Sequence, residues 1–90
     1  MSRADRFQNK VVIVTGAAQG IGRGVALNVA AEGGSVLAVD RSELVNEVVA
    51  EITAAGGVAA PFQADLETYA GAQGVVAEAL ARFKRVDVLI

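Results

Sequence analysis

The feature of this sequence that most constrains its fold is a group of glycines placed directly after a run of β-branched residues. Residues 10–15, Lys-Val-Val-Ile-Val-Thr, predict a strand buried on both faces, which is typical of a parallel sheet. Gly16, Gly20 and Gly22 follow at once, and apolar residues then recur at four-residue spacing as far as Val29. A strand, a glycine-lined turn and a helix are therefore predicted in immediate succession.

The same alternation continues along the chain. Strands are predicted at residues 10–15, 35–40, 58–64 and 85–90. Pro61 removes one ladder donor, so the third strand is predicted to lie at a sheet edge or to be irregular there. Right-handed crossovers between parallel strands then predict an α/β, doubly wound sheet with the spatial order 3-2-1-4.

Three helices are predicted between these strands. Ser42 is placed to cap the second of them, and glycine pairs at 33–34 and 56–57 end the first and second. Their apolar stripes are predicted at Ile21, Val25 and Val29; at Val45, Val48, Val49 and Ile52; and at Tyr69, Ala72, Val76, Ala79, Leu80 and Phe83.

Composition excludes several classes of function. Hydrophobic residues make up 53% of the chain and charged residues 20%, which excludes disorder. A net charge of −2 without a basic run argues against a nucleic-acid partner, and no apolar stretch approaches the roughly 20 residues of a membrane span. Cys and His are both absent, which excludes disulfides, thiolate nucleophiles, soft-metal sites and imidazole triads within these residues. A cytoplasmic protein is expected, since no signal-peptide pattern is present.

The glycine turn predicts a binding site for a pyrophosphate. Backbone N–H groups and a helix N-terminus converge between the strand and the helix, at Gly16, Gln19, Gly20, Ile21 and Gly22. The first glycine permits a tight turn, the second allows close approach of a cofactor, and the third allows close helix packing. The spacing is neither that of the standard dinucleotide fingerprint nor that of a Walker loop, and a glycine-rich turn without a ligand is the alternative.

Asp40 is the candidate ligand for a ribose. It ends the second predicted strand, eighteen residues after Gly22, where a carboxylate can accept hydrogen bonds from both hydroxyls of an adenosine ribose. Its charge would repel a 2′-phosphate, which favours NAD over NADP, although the guanidinium of Arg41 could hold such a phosphate. A plain helix cap is the alternative role for Asp40.

Asp65 and Leu66 end the third predicted strand in the equivalent position. Asp65 could hydrogen-bond the adenine amino group and Leu66 could pack on the ring, whereas capping of the next helix explains Asp65 equally well. The carboxyl ends of three successive parallel strands meet at one crevice, which is where open α/β sheets bind ligands. Together the three positions predict a dinucleotide site more strongly than any one of them.

These residues carry a family resemblance. The turn Thr15-Gly-x-x-x-Gly20-Ile-Gly22 resembles the cofactor turn of the short-chain dehydrogenase/reductase family, and Asp40 and Asp65-Leu66 are similar to its ribose and adenine positions. The likeness extends from Phe7 to the end of the chain. It implies a Rossmann-type fold, NAD as cofactor, a small-molecule substrate and assembly as a homodimer or homotetramer.

A narrower resemblance concerns the branch of this family that oxidises cis-dihydrodiols of benzoate. Residues 16–23, 31–34, 39–44 and 64–67 are similar to that branch. The likeness implies oxidation of a cis-dihydrodiol carboxylate to a catechol with hydride transfer to NAD and loss of CO₂.

No catalytic residue is assigned within the chain. The Ser, Tyr and Lys that the family implies, with the spacing Tyr-x-x-x-Lys, and an assisting Asn would lie downstream. Tyr69 is followed four positions later by Gln73, not by Lys, so it is interpreted as a helix-face residue.

Residues 1–90 are expected to form the N-terminal part of a single NAD-binding domain whose remainder is absent, so that this chain alone is inactive. Its fourth strand would otherwise be an exposed apolar edge, which folded proteins avoid. Two other hypotheses stay open: a non-catalytic NAD-binding module or truncated gene product, and a methyltransferase-like sheet that binds S-adenosylmethionine.

Overall fold

A computed structural model describes residues 7–65 and 69–90 of the chain. Strands and helices alternate along these residues, as the sequence predicts. The elements are β1 (Val11–Thr15), α1 (Gly20–Ala31), β2 (Ser35–Asp40), α2 (Val45–Ala54), β3 (Val58–Gln63), α3 (Tyr69–Phe83) and β4 (Val88–Leu89).

The described strands form one parallel sheet with the order β3-β2-β1-β4. The predicted order is therefore confirmed, and with it the doubly wound, Rossmann-type fold class. Pro61 pairs with Ala38 on the edge strand β3, where a missing ladder donor is tolerated, as predicted.

β4 is shorter than the predicted strand at 85–90. Only Val88 and Leu89 are strand residues, paired with Val12 and Ile13. Before them Asp87 bonds to Val11 twice: its backbone amide donates to the Val11 carbonyl at 2.9 Å, and its Oδ2 accepts a hydrogen bond from the Val11 amide at 2.8 Å. Backbone hydrogen bonds to β1 therefore begin at Asp87 and continue to Ile90, whose amide donates to the Ile13 carbonyl at 2.8 Å.

β1 and β2 form the core because helices cover both of their faces. Val12, Val14 and Val36 pack against α1 and α2 on one face, and Ile13 and Leu37 pack against α3 on the other. All five side chains have an exposed fraction of 0%. Burial of each such side chain contributes roughly 1.5–3 kcal/mol, which explains why these strands read as continuous apolar runs.

The buried face of α1 differs from the predicted stripe. Ile21 is 88% exposed, and the residues that face the sheet are Ala26 and Val29, with Val25 half-buried. Gly22 precedes Ala26 by one helical repeat and lies against the end of β1. The stripe prediction is therefore wrong at Ile21, because small residues, and not the largest ones, form this contact face.

The predicted stripe of α3 is correct in part. Ala79 is buried and Phe83 is half-buried, as predicted, but the second buried residue is Val75, and the predicted members Val76 and Leu80 are 45% and 49% exposed. Val76, Leu80 and the exposed Leu89 of β4 form part of an apolar surface on this side of the sheet. The exposure of Leu89 agrees with the expectation of an apolar edge at the fourth strand.

α2 follows its predicted stripe but not its predicted cap. Val45, Val48 and Ile52 are buried, and Val49 is half-buried. The residue preceding the helix is Leu44, which makes no capping bond through its side chain. Ser42 Oγ instead accepts a hydrogen bond from the Leu44 amide at 3.2 Å, so Ser42 stabilises the turn before the helix and is not its cap.

Within the described ranges no helix has the length and apolar character needed to cross a bilayer.

Candidate functional site

The turn between β1 and α1 requires glycine at two positions. Gly16 has φ +62° and Gly20 has φ +63°, in the left-handed region that other L-residues rarely adopt. A side chain at either position would cost about 1 kcal/mol or more in backbone strain. A Cβ at Gly20 would meet no atom within 4 Å, so the space in front of this backbone is open to a ligand.

Gly22 is required for a different reason, the close approach of α1 to β1. A Cβ at this position would lie 2.0 Å from the Gly16 carbonyl oxygen and 3.1 Å from that of Thr15. Both neighbours are backbone atoms, which no side-chain rotation can move aside. The first turn of α1 is thereby held directly over the end of β1, as the glycine spacing predicts.

The N-terminus of α1 presents backbone N–H groups that a ligand can use. Gln19 precedes the helix in an extended conformation and its side chain makes no capping hydrogen bond. Helix geometry leaves the amides of residues 20–22 without intrahelical acceptors, and the first turn of α1 carries no acidic residue. These donors and the positive end of the helix dipole fit an anionic group such as a pyrophosphate.

Asp40 lies beside this turn at the end of β2. Its half-buried carboxylate accepts a hydrogen bond from the Ala18 amide at 3.1 Å through Oδ2 and one from the Ser42 amide at 2.9 Å through Oδ1. The Ala17 amide donates to the Val39 carbonyl at 3.0 Å, which continues the contact between β1 and β2. Asp40 is not a helix cap, because α2 begins only at Val45.

Asp40 retains acceptor capacity for a ligand. A carboxylate has about four lone-pair positions, and the two backbone amides use two of them. The remaining capacity suits the two hydroxyls of a ribose, which can both donate to one carboxylate. Asp40 therefore combines a contact to the glycine turn with a possible contact to a diol.

The backbone after β2 is fixed by a residue that sequence reasoning missed. Gln63 pairs with Asp40 in the β2–β3 register, and its Nε2 donates to the Arg41 carbonyl at 3.1 Å. The Ala64 amide also donates to the Asp40 carbonyl, at 3.1 Å. No sequence signal singles out Gln63, since its role depends on strand register. The side chain of Arg41 is exposed at the same edge.

The remaining predicted site residues divide into three cases. Gln19 and Ile21 are exposed and belong to the turn itself. Asp65 is exposed and follows the end of β3 by two residues, on the same carboxyl edge of the sheet. Leu66 lies outside the described residues. The structure thus brings Gly16, Gly20, Gly22 and Asp40 together, and places Asp65 one strand beyond them.

This arrangement provides groups for binding a ligand. Backbone donors, an open glycine surface and one carboxylate are suited to holding phosphate and a vicinal diol. Among residues 7–65 and 69–90 no cluster of three or more His, Cys, Asp and Glu side chains could hold a metal ion. Tyr69 is the first residue of α3, in agreement with its interpretation as a helix residue.

A parallel sheet of order 3-2-1-4 with a glycine turn after its first strand is typical of nucleotide-binding α/β proteins. The chain belongs to the short-chain dehydrogenase family, whose model matches residues 10–90. These residues correspond to the nucleotide-binding region of that family. The resemblance identified from the glycine turn is therefore confirmed.

Individual relatives agree with the narrower resemblance. The chain is 59% identical over 90 residues to the 1,6-dihydroxycyclohexa-2,4-diene-1-carboxylate dehydrogenase of Acinetobacter baylyi, covering 100% of this chain and 34% of that protein. It is 55% identical over 85 residues to the enzyme of the same name from Pseudomonas putida, covering 94% of this chain and 31% of that protein. The chain thus spans about a third of the length of these curated relatives.

Solved structures support the fold. A hydroxysteroid dehydrogenase from Escherichia coli superposes with a TM-score of 0.93 at 32% identity, over 99% of this chain and 38% of that one. A short chain dehydrogenase from Mycobacterium avium superposes with a TM-score of 0.89 at 39% identity, over 91% of this chain and 32% of that one.

Proposed function

We propose that residues 1–90 form the first part of a single NAD-binding domain of a dehydrogenase, and that they bind the ADP half of the cofactor. The observation that carries this proposal is the juxtaposition of the uncapped α1 N-terminus with the Asp40 carboxylate. The amides at Gly20, Ile21 and Gly22 would donate to the pyrophosphate. NAD would supply the hydride acceptor, and this chain's residues would bind and orient it.

NAD is preferred over NADP on electrostatic grounds. A 2′-phosphate on the adenosine ribose would approach the Asp40 carboxylate, which is held in place by two backbone amides and cannot turn away without losing them. Arg41 is the only cation adjacent to Asp40 in sequence, and its exposed side chain could reach the 2′-phosphate of NADP from the solvent side. We expect repulsion by the fixed Asp40 carboxylate to outweigh attraction by the exposed, solvent-screened Arg41 guanidinium.

The adenine would lie between the carboxyl ends of β2 and β3. Asp65 would accept a hydrogen bond from the adenine amino group, and Leu66 would pack against the ring. This assignment rests on the position of Asp65 after β3 and on the family resemblance.

The proposed substrate is a cis-dihydrodiol carboxylate, oxidised to a catechol with hydride transfer to NAD and release of CO₂. The support is the 59% and 55% identity to two enzymes named for such a substrate. The proposal includes a cytoplasmic location, where NAD is available, and a homo-oligomeric assembly. The acid and base of the reaction are proposed to lie outside these residues.

Calorimetric titration of the intact protein with NAD, NADP and S-adenosylmethionine tests the cofactor. NAD should bind most tightly, and Asp40→Ala should weaken NAD binding and narrow its advantage over NADP. Glu43→Ala is the matched control, because it removes an exposed carboxylate three residues away. Preferential binding of S-adenosylmethionine would contradict the dehydrogenase assignment, and unchanged relative affinities in Asp40→Ala would contradict the ribose contact.

A turnover assay tests the proposed oxidation of a cis-dihydrodiol carboxylate. Intact protein supplied with NAD and a cis-dihydrodiol carboxylate should produce NADH, which absorbs at a wavelength where NAD does not. Cofactor binding without turnover of any diol would instead favour a non-catalytic NAD-binding module.

A further inference from the structure

Asp40 has a contact that ribose recognition alone does not require. Its Oδ2 accepts a hydrogen bond from the Ala18 amide, which belongs to the glycine turn and comes from a different strand. Ala18 itself is 5% exposed, so its amide lies where water cannot easily replace the carboxylate. The cofactor-selecting carboxylate is thus also part of the structure of the phosphate-binding turn.

The turn is also held by two backbone hydrogen bonds, from the Ala17 amide to the Val39 carbonyl and from the Arg23 amide to the Gln19 carbonyl at 3.4 Å, and by the packing of Ala17 and Ala18 in the core. Beyond Ala18 the chain enters Gln19, whose side chain makes no capping bond. Gly16 and Gly20 flank this segment, and glycine restricts the backbone least of all residues. Without the Asp40 contact, the segment between Gly16 and Gly20 would keep its core packing and its other backbone hydrogen bonds, but the Ala18 amide would lose the acceptor that ties it to the end of β2.

We propose that Asp40 is a positioning residue for the phosphate-binding turn, acting through the Ala18 amide, in addition to its role as ribose ligand. This inference rests on the proposed function. It predicts that Asp40 contributes to affinity for a ligand that has phosphate but no ribose. A residue that only binds ribose would make no such contribution.

Binding of inorganic pyrophosphate distinguishes a ribose ligand from a positioning residue, because the two roles change the pyrophosphate affinity of Asp40→Ala in opposite directions. If Asp40 acts only on ribose, Asp40→Ala removes a negative charge near the anion and should tighten pyrophosphate binding. If Asp40 also positions the turn, the loss of its hydrogen bond should weaken pyrophosphate binding about three- to tenfold despite the lost charge. Binding to the intact protein is measured by competition with NAD, and Glu43→Ala, which loses a charge but no contact to the turn, should bind as wild type or more tightly. Equal or tighter binding by Asp40→Ala overturns the positioning role.

Hydrogen exchange of the Ala18 amide provides a second measurement that needs no ligand. Exchange should be slowest in the wild type, faster in Asp40→Asn, which offers one carbonyl oxygen to two amides, and fastest in Asp40→Ala. Unchanged exchange in Asp40→Ala overturns the inference. Failure of the wild-type protein to bind NAD or pyrophosphate would instead refute the proposed function, and exchange would still decide whether Asp40 positions the turn.

Discussion

Substitution of Gly22 by Ala tests whether close helix packing builds the site. The new Cβ would lie 2.0 Å from the Gly16 carbonyl oxygen and 2.6 Å from its carbon. Non-bonded carbon and oxygen atoms need roughly 3 Å or more, so α1 and the end of β1 must separate by about 1 Å. Overpacking costs about 1–3 kcal/mol, and the upper end applies because the neighbours are backbone atoms.

Gly24→Ala is the matched control for this substitution. Gly24 lies on the same helix with nothing within 4 Å of an added Cβ. Alanine there should stabilise the protein by roughly 0.5–1 kcal/mol through helix propensity alone. Gly22→Ala has the same propensity gain, so its net destabilisation should be about 2 kcal/mol and the two variants should differ by about 3 kcal/mol.

Urea unfolding of the intact protein measures the free energy of unfolding of both variants. The midpoint concentrations can be compared directly if the free energy of unfolding falls with urea at the same slope in both. NAD affinity should also fall in Gly22→Ala, because the shift displaces the amides of residues 20–22. Stabilities of Gly22→Ala and Gly24→Ala that agree within about 0.5 kcal/mol would refute the packing argument.

Other substitutions test single contacts. Gly20→Ala should cost about 1 kcal/mol from its φ of +63° and should weaken NAD binding further by filling open space, whereas unchanged affinity would show that no ligand approaches there. Arg23→Ala breaks a bidentate ion pair with Glu51, and the two side chains are 41% and 46% exposed. The free energy of unfolding should fall by less than about 1 kcal/mol, and high salt should remove the difference between the variant and the wild type. Hydrogen bonding to the Arg85 guanidinium holds the pKa of Asp87 below its ordinary 3.8. The ionised Asp87 carboxylate therefore stabilises the fold fully above pH 3.8, and this contribution to the free energy of unfolding is lost as the pH falls through the lowered pKa. Asp87→Asn should make the urea midpoint less dependent on pH in this acid range, and an unchanged pH dependence would contradict the contact. The 90-residue chain alone should self-associate through the apolar surface of α3 and β4, and a monomer with a cooperative melting transition in ultracentrifugation and calorimetry would contradict this expectation.

Most of the fold could be predicted because buried parallel strands leave a clear sequence pattern. Residues 35–40 are predicted and observed as β2 without any difference in bounds, since the apolar run ends at a charged residue. Pro61 indicated an edge strand through its missing donor. The bond from the Val11 amide to the Asp87 side chain was not predictable, because it joins residues 76 positions apart and depends on tertiary geometry.

Helix faces were harder to predict than helix positions. Sequence reasoning weights large apolar residues, whereas α1 contacts the sheet through Gly22, Ala26 and Val29. In α1 small residues allow close approach, so they mark the contact face even though they contribute little apolar area. Ile21 is left 88% exposed at the mouth of the glycine turn as a result. In α3 the buried Val75 and the exposed Val76 are the same residue type, so composition alone could not separate them.

The positions of the candidate site residues at the ends of strands were predictable, but the hydrogen bonds between them were not. Gly16, Gly20, Gly22 and Asp40 follow from spacing and from the ends of predicted strands. The bond between Asp40 and the Ala18 amide joins residues 22 positions apart, and no local pattern encodes it. It exists only because β1 and β2 are paired in one particular register.

That register is set by the core and not by the site. Thr15 pairs with Val39, so the residues that follow, the glycine turn and Asp40, leave the sheet side by side. A slip of β2 by one residue would turn Val36 and Ala38 toward α3 and Leu37 and Val39 toward α1 and α2, and would move Asp40 away from the Ala18 amide. All four side chains have an exposed fraction of 0%, so a slipped register would lose their close packing and much of the stability that it provides. The position of Asp40, on which the proposed cofactor choice rests, therefore depends on buried aliphatic residues of the sheet core.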